Sequence, residues 1–371
     1  MTVRELIQNN PYRVMGAFSN DSSAALASNN SRMKAFAAIG KSISYPQDMT
    51  RAIGSAPERN AASLASGMAA IGSPMDRLKH GLFWFMNITD TDAKALAALA
   101  ESGNPLESRR IWEEGEQNIS SLQNQLICCL MKDSRSYSKA IQTAWTLYSR
   151  YGHEFIKTIS YGFDVINPSD LMTTFLTQII QNSAEEIESW DKAIKRYGNS
   201  EIELCWAEAK TEDSMQKLQD ALNLARTAEI HSARDNYDIA VRLMQQAEPH
   251  LKRMKAILDK YPSLLSRYAT IADSVCEEIL DREIKYYNRS TSTERQSAQL
   301  LIIEKFCYRY AATVRLKENC RENINITLCR SKVAPLFPNG TPDKLFFESD
   351  RRKRNAGIYA IIEGLKGSKS K

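Results

Sequence analysis

The residue types best suited to chemistry are four histidines and seven cysteines, and their spacing works against a site. His80, His153, His231 and His250 stand far apart, with no H-x-x-x-H pair. Cys128, Cys129, Cys205, Cys276, Cys307, Cys320 and Cys329 include no C-x-x-C, and their number is odd. A metal site needs ligands at matched spacing, so none is expected, and the cysteines read as reduced, small hydrophobic residues inside helices. The adjacent carboxylates Glu113-Glu114, Glu185-Glu186 and Glu277-Glu278 read as solvated helix faces rather than acid–base pairs. Gly67 and Gly72 do not form the Gly-x-x-x-x-Gly-Lys loop that cradles phosphate. No strand-to-helix elbow marks a nucleophilic serine. The expectation is a protein without catalytic residues and without a cofactor.

Two groups remain that recognise rather than react. Arg351, Arg352, Lys353 and Arg354, with Lys366, Lys369 and Lys371 behind them, have the charge to grip phosphates. Glu348, Asp350 and Glu363 dilute that charge, so nucleic-acid association is the alternative reading. Phe83-Trp84-Phe85 is expected in the core. The net charge of +5 is mild, with 43% hydrophobic and 25% charged residues. Those totals describe an ordinary globular chain and require neither nucleic acid nor membrane. No stretch approaches the roughly 20 apolar residues of a bilayer span. Glu5 and Gln8 interrupt the opening MTVRELIQNN where a secretion signal would be apolar. A cytoplasmic protein without a membrane segment is expected.

The elements that would position any site are helices. Asn10-Pro11, Ser73-Pro74 and Asn104-Pro105 each place a cap before a first-turn proline. Asp21-Ser22-Ser23 caps a helix running to about Ile39, and a loop with Pro46, Gly54 and Pro57 follows. Tyr137, Ile141, Ala144, Tyr148 and Tyr151 form one stripe, with Gly152 expected to close that helix. Ser183 and Glu186 are spaced as a capping box. Ala240, Leu243, Ala247, Leu251 and Met254 hold near-heptad spacing, which favours a long helical hairpin. No stretch alternates long enough to ask for a sheet. The expected architecture is all-α. A small helical module over 1–88 precedes solenoid-like helical pairs over 89–198. A long-helix bundle over 199–333 and a turn-rich, basic segment over 334–371 complete it.

The opening module carries a resemblance. Tyr12, Met15 and Gly16 on a short first helix, a longer second helix, a proline loop, and Met68, Ile71, Ser73, Pro74 and Arg77 after the third resemble a J-domain. That is the module with which DnaJ-type co-chaperones engage DnaK-type chaperones. The resemblance implies that Arg32 and Lys34 on the second helix meet an acidic face of the chaperone. It also implies that the loop Tyr45, Pro46, Gln47 and Asp48 makes a shape-specific contact. The departure is in that loop. The family's ATPase trigger is His-Pro-Asp, and this chain has Tyr45-Pro46-Gln47-Asp48. His80, the nearest histidine, lies on another helix. The openings NPYRV and SYPQD, with RLKHGLFWF and SSLQN, also resemble uncharacterised helical proteins of Bacteroidota.

The expected function is therefore non-catalytic. It is a protein-interaction scaffold or co-chaperone-like adaptor whose partner-binding residues are Arg32, Lys34, Tyr45, Pro46, Gln47 and Asp48. A chaperone-ATPase activator with a variant loop is a second alternative.

Overall fold

The computed structural model describes residues 2–41, 43–131, 136–289 and 294–333, and among them there is no strand. The all-α expectation holds. The chain forms two compact units, Met1–Asp213 and Ser214–Lys371.

Capping explains where most helices of the first unit begin. Asn10 Oδ1 accepts from Tyr12 N to open α2 (Pro11–Val14). Ser22 opens α3 (Ser23–Ala38), Asn60 opens α5 (Ala61–Ala70) and Ser73 opens α6 (Pro74–Gly81). Thr89 opens α7 (Asp90–Ser102), Asn104 opens α8 (Pro105–Glu114) and Asn118 opens α9 (Ile119–Leu130). Each such cap is worth about 0.5–2 kcal/mol against alanine. The short α1 (Val3–Gln8) and α4 (Thr50–Ile53) complete the N-terminal part. α10 (Tyr137–Ile159), α11 (Leu171–Asn182) and α12 (Ile187–Tyr197) follow, and α13 (Ser200–Thr227) begins in this unit.

One hydrophobic core runs through the unit from Val3 to Ala209, without a break at 88/89. Trp84, Trp112 and Trp190 are fully buried in it, with Phe85, Phe155 and Phe175. Phe175 stacks on Phe83 at 5.3 Å and meets Trp190 edge-on at 6.4 Å. Phe83-Trp84-Phe85 is core, as its composition predicts.

Three local expectations are corrected. The helix that begins at Tyr137 does not stop at Gly152 but continues to Ile159. Gly152 packs beside Pro168, where a Cβ would meet the proline side chain at 3.4 Å. The Ser183 side chain makes no capping bond to the residues after it; its hydroxyl donates to Ile179 O of the preceding helix, and 184–186 is a 3-10 turn. The third concerns α9. Leu122, Leu126, Cys129 and Leu130 share one side at helical spacing, which predicts a one-sided helix, yet all twelve residues are buried. Two of its polar residues, Gln123 and Asn124, bind backbone. Gln123 Nε2 donates to the carbonyls of Gly81, Leu82 and Trp84, and Asn124 brackets Met86 through both its N–H and its C=O. These bonds satisfy the non-helical stretch that follows α6, which would otherwise bury unpaired groups.

In the second unit α14 (Ala233–Lys260) packs on α15 (Leu265–Arg289), and α16 (Glu294–Tyr310) packs on α17 (Val314–Val333) and on α15. Ala240, Leu243, Ala247, Leu251 and Met254 form the buried seam of α14, as their spacing predicts. The helical spacing of Leu300, Ile303, Phe306, Tyr310 and Val314 predicts one helix running on to Val314. Instead the chain turns after Tyr310, where the Asp273 carboxylate accepts from Ala312 N and Thr313 N and fixes the start of α17.

Candidate partner-binding site

The site is built from a buried charged lock beneath a short loop. Arg13, on α2, is 1% exposed. Its guanidinium donates to Gln8 O at 2.9 Å, Asp48 O at 2.8 and 3.0 Å, Gly54 O at 2.7 Å and Ser55 O at 2.9 Å. Carbonyl oxygens thus satisfy a charge that burial would otherwise penalise. Burial lowers the Arg13 pKa to about 10, the Asp48 carboxylate opposing this and the Arg59 charge adding to it. Arg59 approaches from the other side. It donates to Val14 O, Ile43 O and Arg13 O, and both carboxylate oxygens of Asp48 accept from it. The same carboxylate accepts from Tyr45 N at 3.0 Å, closing the turn Pro46–Asp48 on itself.

Above this lock lies Tyr45. Its ring rests on Gly16, where a Cβ would come within 2.5 Å of it, and the Arg59 guanidinium sits 5.0 Å from the ring centroid. Gly16 has φ +57°, a conformation that favours glycine. Asn29 of α3 donates to Met15 O and Gly16 O. Gly16 is therefore the junction between the loop and α3. Arg32 lies three residues beyond Asn29, close to one helical turn.

The six sequence-derived positions separate into two kinds. Arg32, Lys34 and Pro46 are exposed, and Tyr45 and Gln47 are half-buried. Asp48 is 2% exposed and fully engaged with Arg59 and Tyr45 N, so it positions the loop from within. Arg351, Arg352, Lys353 and Arg354 lie outside the described residues.

The other residues that carried the resemblance are structural. Tyr12 and Met15 are buried. Arg77, also buried, donates to Ile159 O and Asp21 O and lies 3.5 Å from the Tyr161 ring centroid. Burial lowers its pKa, against the pull of Tyr12, Tyr161 and Asp21. Sequence reasoning missed Arg13 and Arg59, for which no spacing signal exists. It also missed Asp92, which is fully buried and accepts from Trp112 Nε1 at 2.9 Å, Ser120 Oγ at 2.6 Å and Asn124 Nδ2 at 3.2 Å. Its place in the Thr89 capping box was the one clue.

The lock's charges are spent on backbone and on one another. Among the described residues no group of three or more His, Cys, Asp or Glu could hold a metal ion. No helix among them is long and apolar enough to cross a membrane. Compared with known proteins, the chain matches no family model, no curated protein and no solved structure.

Proposed function

We propose that this protein is a non-catalytic, cytoplasmic adaptor or scaffold that holds a protein partner at the face formed by α3 and the loop 45–47. The observations that carry this reading are the exposure of Arg32, Lys34 and Pro46 and a loop fixed from beneath by Arg13, Asp48 and Arg59. A pre-set loop loses little conformational freedom on binding, which favours its use as a contact. The two cations supply steering toward an acidic surface. In keeping with the J-domain resemblance, the partner is a DnaK-type chaperone, bound without acceleration of its ATPase because the loop has no histidine.

The test is titration of the full chain into a DnaK-type chaperone, with the native protein compared against R32E/K34E. Salt-sensitive binding that the double reversal abolishes supports the reading. Equal binding by both proteins, or none by the native one, removes it. Measuring chaperone ATPase turnover in the same mixtures separates the adaptor from an activator with a variant loop.

A further inference from the structure

Helices α15, α16 and α17 bring two acidic side chains into their shared interior. Glu283 of α15 is 3% exposed and Glu304 of α16 is 2% exposed. Thr327 of α17 donates to Glu304 Oε1 at 2.6 Å. Glu304 Oε2 and Glu283 Oε2 are buried and accept no hydrogen bond. Two turns along α15 and α17, and one along α16, lies a layer of thiols: Cys276, Cys307 and Cys320 are each fully buried. Cys276 and Cys307 point their sulfurs at each other's carbonyl oxygens, at 3.8 and 3.7 Å.

Among the described residues no arginine or lysine acts on either carboxyl. Arg282, the neighbour on α15, is turned to Glu278 and to Ala225 O. From α14, Lys255 donates to Arg309 O, and Glu248 pairs with Arg309. Among the described side chains of α17, Thr327 donates to Glu304, and Cys320 is near enough to feel the Glu304 charge. An isolated carboxylate in such a place is expensive, and a buried acid escapes the cost by holding its proton.

We propose that Glu283 and Glu304 form a proton-bearing carboxyl pair that docks α16 and α17 on α15, and that loss of a proton from the pair as the pH rises loosens this docking. Burial pushes Glu304 up to about 7, Thr327 opposing, and pushes Glu283 well above its ordinary range, the charge of Glu304 adding to the effect. The sign follows from linkage. The folded bundle holds protons that the unfolded chain releases near the ordinary glutamate value of 4.5. The stability tied to the protons is complete below that value and is lost as the pH rises through about 7. Loosening would uncover the apolar residues around the pair, Ile279, Ile303 and Phe306 among them, so the device is a pH-dependent exposure of bundle surface.

Hydrogen exchange on the full chain tests this, with protection factors corrected for the intrinsic rate at each pH. Amides of α16 and α17 are expected to lose protection by up to about tenfold per pH unit between about pH 5 and about pH 7. The E283Q/E304Q variant keeps a neutral, similarly shaped pair and is expected to hold its protection across that range. Constant protection in the native chain, or the same loss in the variant, overturns the proposal. The protonated-carboxyl stretch in infrared difference spectra of the native chain gives a reading that does not depend on the variant folding. A band that persists above the ordinary glutamate range supports the pair, and its disappearance within that range overturns it.

Discussion

Arg59 and Asp48, eleven residues apart in the chain, meet in a two-point ion pair with both side chains 3% exposed. This contact converts a proline-containing loop into a fixed surface feature. Its energetic value shows when one partner is removed and a buried charge is left without its counterion. D48N is expected to destabilise the first unit by about 3–5 kcal/mol. Urea unfolding followed by tryptophan fluorescence measures it, since Trp84, Trp112 and Trp190 all lie in that unit's core. A loss below about 1 kcal/mol would mean that the carbonyl cage around Arg13 and Arg59 holds the loop by itself.

The surface cations behave differently. Arg32 and Lys34 are exposed, so R32E/K34E is expected to leave stability unchanged within about 0.5 kcal/mol. The same unfolding curve checks this. A cooperative, native-like transition is the condition under which lost binding reports on the surface and not on the fold.

Two glycines with left-handed backbone separate conformation from contact. Gly16 has φ +57° and Gly40 has φ +67°, but only at Gly16 does the space for a Cβ belong to a tyrosine ring. G40A is expected to cost about 1–2 kcal/mol, the strain of a non-glycine residue there. G16A is expected to cost more, because the Tyr45 ring must also move. The difference between the two unfolding free energies measures the packing of the loop on α2.

Thiol reactivity provides a check on burial across both units. Burial raises the pKa of Cys128, Cys129, Cys307 and Cys320, and all four are enclosed. Cys205 is half-buried, and burial raises its pKa against the hydrogen bond with Thr173. Among these five, Cys205 is expected to react first with an aromatic disulfide reagent at neutral pH, and the others only on unfolding. Peptide mapping of the labelled native chain reads the order directly. Early labelling of Cys307 would contradict the packing of α15, α16 and α17.

The chain by itself determined the class of the fold and most helix starts. Capping residues such as Asn10, Ser22, Ser73 and Thr89 act within three residues of themselves, so their effect is written locally. Stripes such as Ala240 to Met254 declare a buried seam in the same way. The exposed half of the candidate site, Arg32, Lys34 and Pro46, was also legible. Tertiary structure decided the remainder. Asp48 looks like a surface acid in sequence and is a buried anchor, because Arg13 and Arg59 reach it from 35 and 11 residues away. Gln123 and Asn124 look like the wet side of α9 and are core, because the stretch after α6 brings carbonyls that need donors. Glu283 and Glu304 are charged residue types, yet both are buried, on helices that pack against each other. In each case the deciding partner is distant in the chain. Hydrogen bonding and charge burial depend on which groups are near in space, which local spacing does not encode.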